Sequence, residues 1–177
     1  MVDALLALMT EGDLRPSADR IAERAGVSLR ALWANFVDME TLYASAGRRQ
    51  LERQAELARR INPRLPLEQR IAALCRQRAQ VLEFLGPVAR AAALREPFSP
   101  QLRENRARQF AVAREELATL FAGEVGGDAE LLSALVMATT WPAWSVLRDD
   151  LGLAVGAARQ AMARTVHALL SRAVEDR

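Results

Sequence analysis

The chain has 177 residues, 51% apolar and 26% charged, which suits a folded domain with a sizeable core and excludes a disordered chain. Its 24 basic residues are all arginine and stand against 22 acidic ones, so a net charge of +2 does not by itself argue for a nucleic-acid partner. A lone cysteine, Cys75, excludes an internal disulfide and fits a reducing compartment.

Ala, Leu, Arg and Glu dominate while aromatic and β-branched residues are scarce, which predicts an all-α fold. The longest apolar stretch, Leu131–Leu147, is interrupted by Ser133, Thr139, Thr140, Pro142 and Ser145. It falls short of the roughly 20 residues a membrane span needs, so it is expected as a buried helix. No segment has the charged start, apolar middle and small-residue cleavage site of a signal peptide, and a cytoplasmic location is expected.

In chain order, Leu5, Leu8 and Met9 mark one face of a short helix over Val2–Thr10, ended near Gly12. Arg15-Pro16 marks a loop. Ser17 is placed to cap a second helix with Ile21, Ala22 and Ala25 inward, stopped at Gly26, where glycine takes the left-handed conformation cheaply. Val27 plugs the turn, and Ser28 caps a third helix with Leu32 and Phe36 inward. Two short helices about a glycine turn predict a helix-turn-helix, with a generic helical hairpin as the structural alternative.

A long helix is expected from Asp38, as its cap, to Ile61, with Tyr43, Gly47, Gln50, Gln54 and Leu57 on its stripe. Asn62-Pro63 and Pro66 then break the chain. The next helix, Pro66–Leu85, aligns Ile71, Leu74, Cys75, Leu82 and Leu85, with Arg78 in the middle of the stripe. An arginine there either pairs structurally, snorkels to water, or anchors an anionic ligand. Gly86-Pro87 is expected to end that helix, and Val88–Glu96 to form a short one of its own. Gln101–Ala122 places Leu102, Phe110, Ala113, Leu117, Leu120 and Phe121 inward, with a loop at Gly123–Gly127.

The helix expected over Asp128–Leu151 is apolar nearly all round, kinked at Pro142, and so must be buried on all sides. The last helix, Leu153–Glu175, aligns Val155, Ala158, Met162, Val166, Leu169 and Ala173, with small residues on its flank. Paired with their copies, helices 128–151 and 153–175 predict a four-helix homodimer interface; completion of a monomeric bundle is the alternative. His167 has no metal-ligand cluster around it. No nucleophile, phosphate loop or metal-ligand pattern appears, so neither an enzyme nor a cofactor is expected.

The run from Pro16 to Leu42, PSADRIAERAGVSLRALWANFVDMETL, resembles the N-terminal domain of the TetR family of transcriptional regulators. The matching positions are Ile21-Ala22, Ala25-Gly26-Val27-Ser28, Leu32, the aromatic Trp33, Phe36 and Leu42. Trp33 stands where the family usually has Tyr, and Met39 where it commonly has Lys; the first keeps an indole N–H donor and the second offers none. The resemblance implies a three-helix DNA-binding domain over residues 1–46, and a helical effector-binding and dimerisation domain over 47–177. It also implies a regulator of transcription acting on a double-stranded operator, a repressor released by a small molecule. Ser17, Ser28 and Trp33 resemble the family's backbone-contacting positions.

On that reading the third helix enters the major groove. Leu29, Arg30, Ala31, Ala34 and Asn35 are the candidates near its start and outer face, Arg30 reading guanine, Asn35 adenine and Leu29 a thymine methyl. Candidates for the effector are Cys75, Arg78, Leu82, Phe110, Met137, Trp141 and Trp144, with core or dimer packing as the alternative for the two tryptophans. Residues 1–46 carry four arginines against seven acidic residues, which predicts modest affinity and a shallow salt dependence. The competing expectation is a helical interaction or ligand-binding protein whose head has lost DNA binding.

Overall fold

Helix α1 (Val2–Thr10) buries Leu5, Leu6, Leu8 and Met9 against α2 (Ala18–Ala25) and α4 (Met39–Leu57), while α3 (Leu29–Asn35) packs on α2. The structure is a computed structural model that describes residues 1–57 and 59–175, the side chains of 55–57 and 172–175 excepted. It continues as α5 (Leu67–Arg95), a 3-10 turn at Glu96–Phe98, α6 (Pro100–Leu120), α7 (Ala122–Val125), α8 (Ala129–Thr139), α9 (Trp141–Ser145), a π-helical turn at Val146–Asp150, and α10 (Val155–Glu175). Among the described residues the fold is all-α, with ten α-helices and no strand. Leu57 and Ala173, expected on apolar stripes, lie outside the described side chains.

The chain forms two compact units: Met1–Leu57 with Leu85–Ala107, and Ala58–Phe84 with Arg108–Arg177. The first therefore takes in more than residues 1–46, reaching along α4 and adding the end of α5 and the start of α6. Its core joins Leu5, Met9, Ile21, Leu32, Leu42, Tyr43 and Ala46 to Ala91. The second unit's core gathers Leu74, Cys75 and Leu82 from α5, Leu117, Phe121 and Leu135, and Trp144, Met162, Val166 and Leu170. Each large side chain enclosed in this way contributes about 1.5–3 kcal/mol relative to exposure.

Several expected boundaries move. Gly86-Pro87 does not end a helix; α5 runs through it, and no separate helix forms over Val88–Glu96. A proline inside a helix costs about 3 kcal/mol. Continuing the helix buries Leu85 and Ala91 and packs Val88 on the first core, which offsets that cost. The helix from Asp38 stops at Leu57 instead of Ile61, and Ile61 packs on the second core. Gly123 lies within a helical turn, not a loop.

The single kinked helix expected over 128–151 is divided. Thr140 is extended (φ −112°, ψ 172°), and Pro142 stands in the first turn of α9. There the missing N–H has no helical acceptor to lose, so proline starts a new helix instead of bending an old one. Nor is that stretch buried all round within one chain: Met137 is 61% exposed, Val146 47% and Leu151 63%.

Candidate nucleic-acid interface

The helix-turn-helix is held by chemistry local to its ends. Ser17 Oγ accepts from the Arg20 N–H at 3.3 Å at the start of α2, and Ser28 Oγ from the Ala31 N–H at 3.1 Å at the start of α3. Each satisfies one of the free N–H groups of a first helical turn. Gly26 sits between them at φ 67°, the left-handed conformation a side chain would strain. Asp38 Oδ1 accepts from the Thr41 N–H at 2.7 Å and the Thr41 hydroxyl at 2.8 Å, capping α4 and holding its own carboxyl below the usual range.

Burial then sorts the faces. Ile21, Ala22 and Leu32 are enclosed, and Val27 and Phe36 are half-buried against the same core. Leu29, Arg30, Trp33, Ala34 and Asn35 are exposed on the outer face of α3, with Ala31 half-buried at its edge. The two serines are also exposed but spend their oxygens on backbone N–H groups. Asn35 is partly committed: its Nδ2 donates to the Ala31 carbonyl at 2.8 Å, which leaves Oδ1 and the second amide N–H for a base. Arg30 keeps its guanidinium clear of any carboxylate among the described residues.

Four other arginines of this unit are engaged. Arg20 pairs with Asp13 and Arg24 with Glu11, while Arg49 and Arg53 of α4 reach Asp3 of α1 at 3.1 and 2.8 Å. Residues 47–57 and 85–107, which complete this unit, bring seven arginines against four acidic residues and cancel the acidic excess of residues 1–46. The unit is formally neutral.

In the second unit the seven residues expected around an effector are only partly gathered. Cys75, Leu82 and Trp144 share the core, and Trp141 packs half-buried against it. Burial pushes the Cys75 thiol up to about 11. Arg78 is 7% exposed and donates from Nη2 to Glu116 Oε2 at 2.6 Å, the ion-pair alternative for an arginine on an apolar stripe. Phe110 is half-buried and Met137 exposed, both outside that core. Glu116 also lines a cavity of about 310 Å³ with Arg60, Ile61, Val112 and Leu120.

Sequence reasoning missed Glu83, which accepts from the Trp144 indole N–H at 2.9 Å and from Arg148 Nε at 2.8 Å. Partners 61 and 65 residues apart leave no local signal. Among the described residues no group of three or more histidine, cysteine or carboxylate side chains is placed to hold a metal, and no helix is long and apolar enough to cross a membrane.

No family model and no curated protein sequence matches the chain. Its fold is similar to the crystal structure of a transcriptional regulator from Rhodococcus sp. Rha1, with a TM-score of 0.69 over 96% of this chain and 94% of that one. The two are 20% identical, a likeness that extends to the architecture of the whole chain and not to individual side chains.

Proposed function

We propose that the chain is a sequence-specific DNA-binding regulator of transcription of the TetR type, a dimeric repressor released by a small-molecule effector. The observation that carries this reading is the outer face of α3: five exposed side chains on a helix capped at its start and anchored by the buried Leu32. Arg30 is free there to meet a guanine edge, and Ser17, Ser28 and Trp33 flank it as groups suited to phosphates. The likeness of the whole fold to a transcriptional regulator supports the reading at the level of architecture.

Two heads are needed because one is electrostatically weak. A formally neutral unit releases few counterions, so specific affinity depends on two copies at fixed spacing. The apolar residues that one chain leaves exposed over 128–151, with the small residues of the helix at 153–175, are the surface for that pairing. The effector part of the reading rests on the second unit, on Arg78 and Trp141 beside Cys75, Leu82 and Trp144, with Phe110 and Met137 outside that core.

Band shifts with the full-length protein and the DNA flanking its own gene test the reading. The expected result is a complex that survives scrambled competitor at low salt, with a shallow salt slope. Absence of any complex at low salt favours instead a helical interaction protein, the reading to which the acidic residues 1–46 and the missing basic group at Met39 point.

A further inference from the structure

The first unit holds a second feature that DNA binding does not use. Tyr43 on α4 is 3% exposed, and its buried hydroxyl makes no hydrogen bond of good geometry in the protein, although Arg95 approaches it. The guanidinium carbon of Arg95 stands 4.0 Å from the centroid of the Tyr43 ring, with Nε likewise buried and unbonded. No carboxylate among the described residues pairs with Arg95. A native fold rarely leaves two such donors unmatched side by side, and a ligand is one standard reason for it.

Both residues line a cavity of about 410 Å³ together with Arg15, Glu40, Leu94, Phe98, Ser99 and Leu102. That volume falls in the usual range for small-molecule sites. Its one carboxylate, Glu40, accepts from the Ser99 hydroxyl at 2.8 Å, and Ser99 in turn accepts from the Leu102 N–H at 3.2 Å. Two arginines against one glutamate leave a single positive charge in the wall. In the same wall Leu94 is 41% exposed and Phe98 86%, apolar side chains that one chain leaves in water.

We propose that this cavity binds a small organic monocarboxylate with an apolar or aromatic body. The carboxylate meets the Arg95 guanidinium and the Tyr43 hydroxyl, with Arg15 adding charge, and the body covers Leu94, Phe98 and Leu102. A guanidinium takes a carboxylate at two points, which matches charge and geometry together. The single net charge favours a monoanion over a phosphate dianion, whose second charge Glu40 repels. The phenol of Tyr43 stays protonated and able to donate, because burial raises its pKa against the opposing charge and contact of Arg95.

Glu40 and Tyr43 lie on the first turns of α4, and Leu42 between them shares a core with Leu32 of α3. A bound acid therefore touches the helix that follows the proposed recognition helix. If it favours one placement of α4, it changes DNA affinity by its differential affinity for the two states. That consequence rests on the DNA-binding reading; the binding itself does not.

The test is calorimetric titration of the full chain, without DNA, with phenylacetate and octanoate near neutral pH, and with their amides and inorganic phosphate as controls. Expected is saturable binding of at least one acid at one site per chain, weaker by about tenfold or more for its amide and for Arg95→Gln. Phe98→Glu, a change at a position already in water, is expected to weaken it similarly by placing a negative charge where the apolar body of the anion rests. Should Arg95→Gln prove misfolded by circular dichroism, Phe98→Glu decides. Failure of both acids to bind, unchanged binding in Phe98→Glu, or phosphate binding as tightly as the acids overturns the proposal. A band shift that fails with or without acid leaves the calorimetry standing and rejects only the DNA reading.

Discussion

Arg70 and Glu124 meet in a two-point ion pair, Arg70 Nη1 donating to Oε2 at 2.9 Å and Nη2 to Oε1 at 2.5 Å. Both side chains are largely enclosed, 10% and 14% exposed. Arg70 also donates to the carbonyls of Leu120 at 2.8 Å and Leu65 at 2.9 Å, and lies over the Phe121 ring. It ties the end of α6 to the start of α5, and its bond to the Glu124 carboxylate raises its pKa further.

Removing one partner of a buried pair leaves the other charge without its counterion, at a cost of about 3–5 kcal/mol. Glu124→Ala should therefore lower the urea midpoint of unfolding sharply at an unchanged slope. Arg70→Met with Glu124→Leu should recover part of that loss, since neither charge then stays buried. An unchanged midpoint for Glu124→Ala would show that the pair contributes nothing.

Arg30→Ala tests base reading on the proposed interface. A bidentate contact to guanine is worth about 1–3 kcal/mol of discrimination. The variant should bind target and scrambled DNA with more nearly equal affinity, measured by competition band shift. A wild-type ratio rules the assignment out.

Met137→Arg and Val146→Arg probe the proposed dimer. Both positions are already exposed in one chain, so an arginine there leaves the core alone. Light scattering after size exclusion should find a dimer for the native chain and a monomer for each variant. Val112→Arg, a change at a position 63% exposed on α6, should remain dimeric. If Met137→Arg and Val146→Arg both stay dimeric, pairing uses another face.

Cys75 should resist thiol reagents. Burial, its largest influence, raises the pKa to about 11 against the opposing charges of Arg159 and Arg78. At neutral pH almost no thiolate exists, and the residue is 1% exposed. A chromogenic disulfide reagent should label it only as urea unfolds the protein; prompt labelling in buffer contradicts the buried placement.

Asp38 sets a pH dependence of known sign. Bonds from the Thr41 backbone and hydroxyl lower its folded pKa below the ordinary 3.8. The carboxylate's contribution is thus complete above about pH 3.8 and is lost as the pH falls through the lower folded value. Asp38→Ala should flatten the acid limb of the stability curve in urea melts taken across that range. An unchanged limb assigns the acid sensitivity to other carboxylates.

The helix-turn-helix was legible residue by residue because its determinants are short-ranged. Ser17 and Ser28 each bond a backbone N–H three residues on, and Gly26 takes its conformation at the position where the apolar pattern stops. The periodicity that placed Ile21, Leu32, Leu74, Leu117 and Val166 inward placed them correctly. Helix breaks were less legible. Pro87 and Pro142 look alike in sequence, yet one is carried through a 29-residue helix and the other opens a new one. The difference lies in what the next turn buries, which neither neighbour announces.

Composition and periodicity alone determined an all-helical chain and the position of its capped helix-turn-helix, because backbone capping, glycine turns and amphipathic stripes act within a few residues. Tertiary structure alone decided which charges are spent and which remain. It joined Arg70 to Glu124 across 54 residues and Arg78 to Glu116 across 38, and it set Arg95 over Tyr43. Long, flexible arginine side chains find partners by proximity in the fold, so that Arg30 on α3 and Arg95 in its cavity stay clear of carboxylates is visible only in the folded chain.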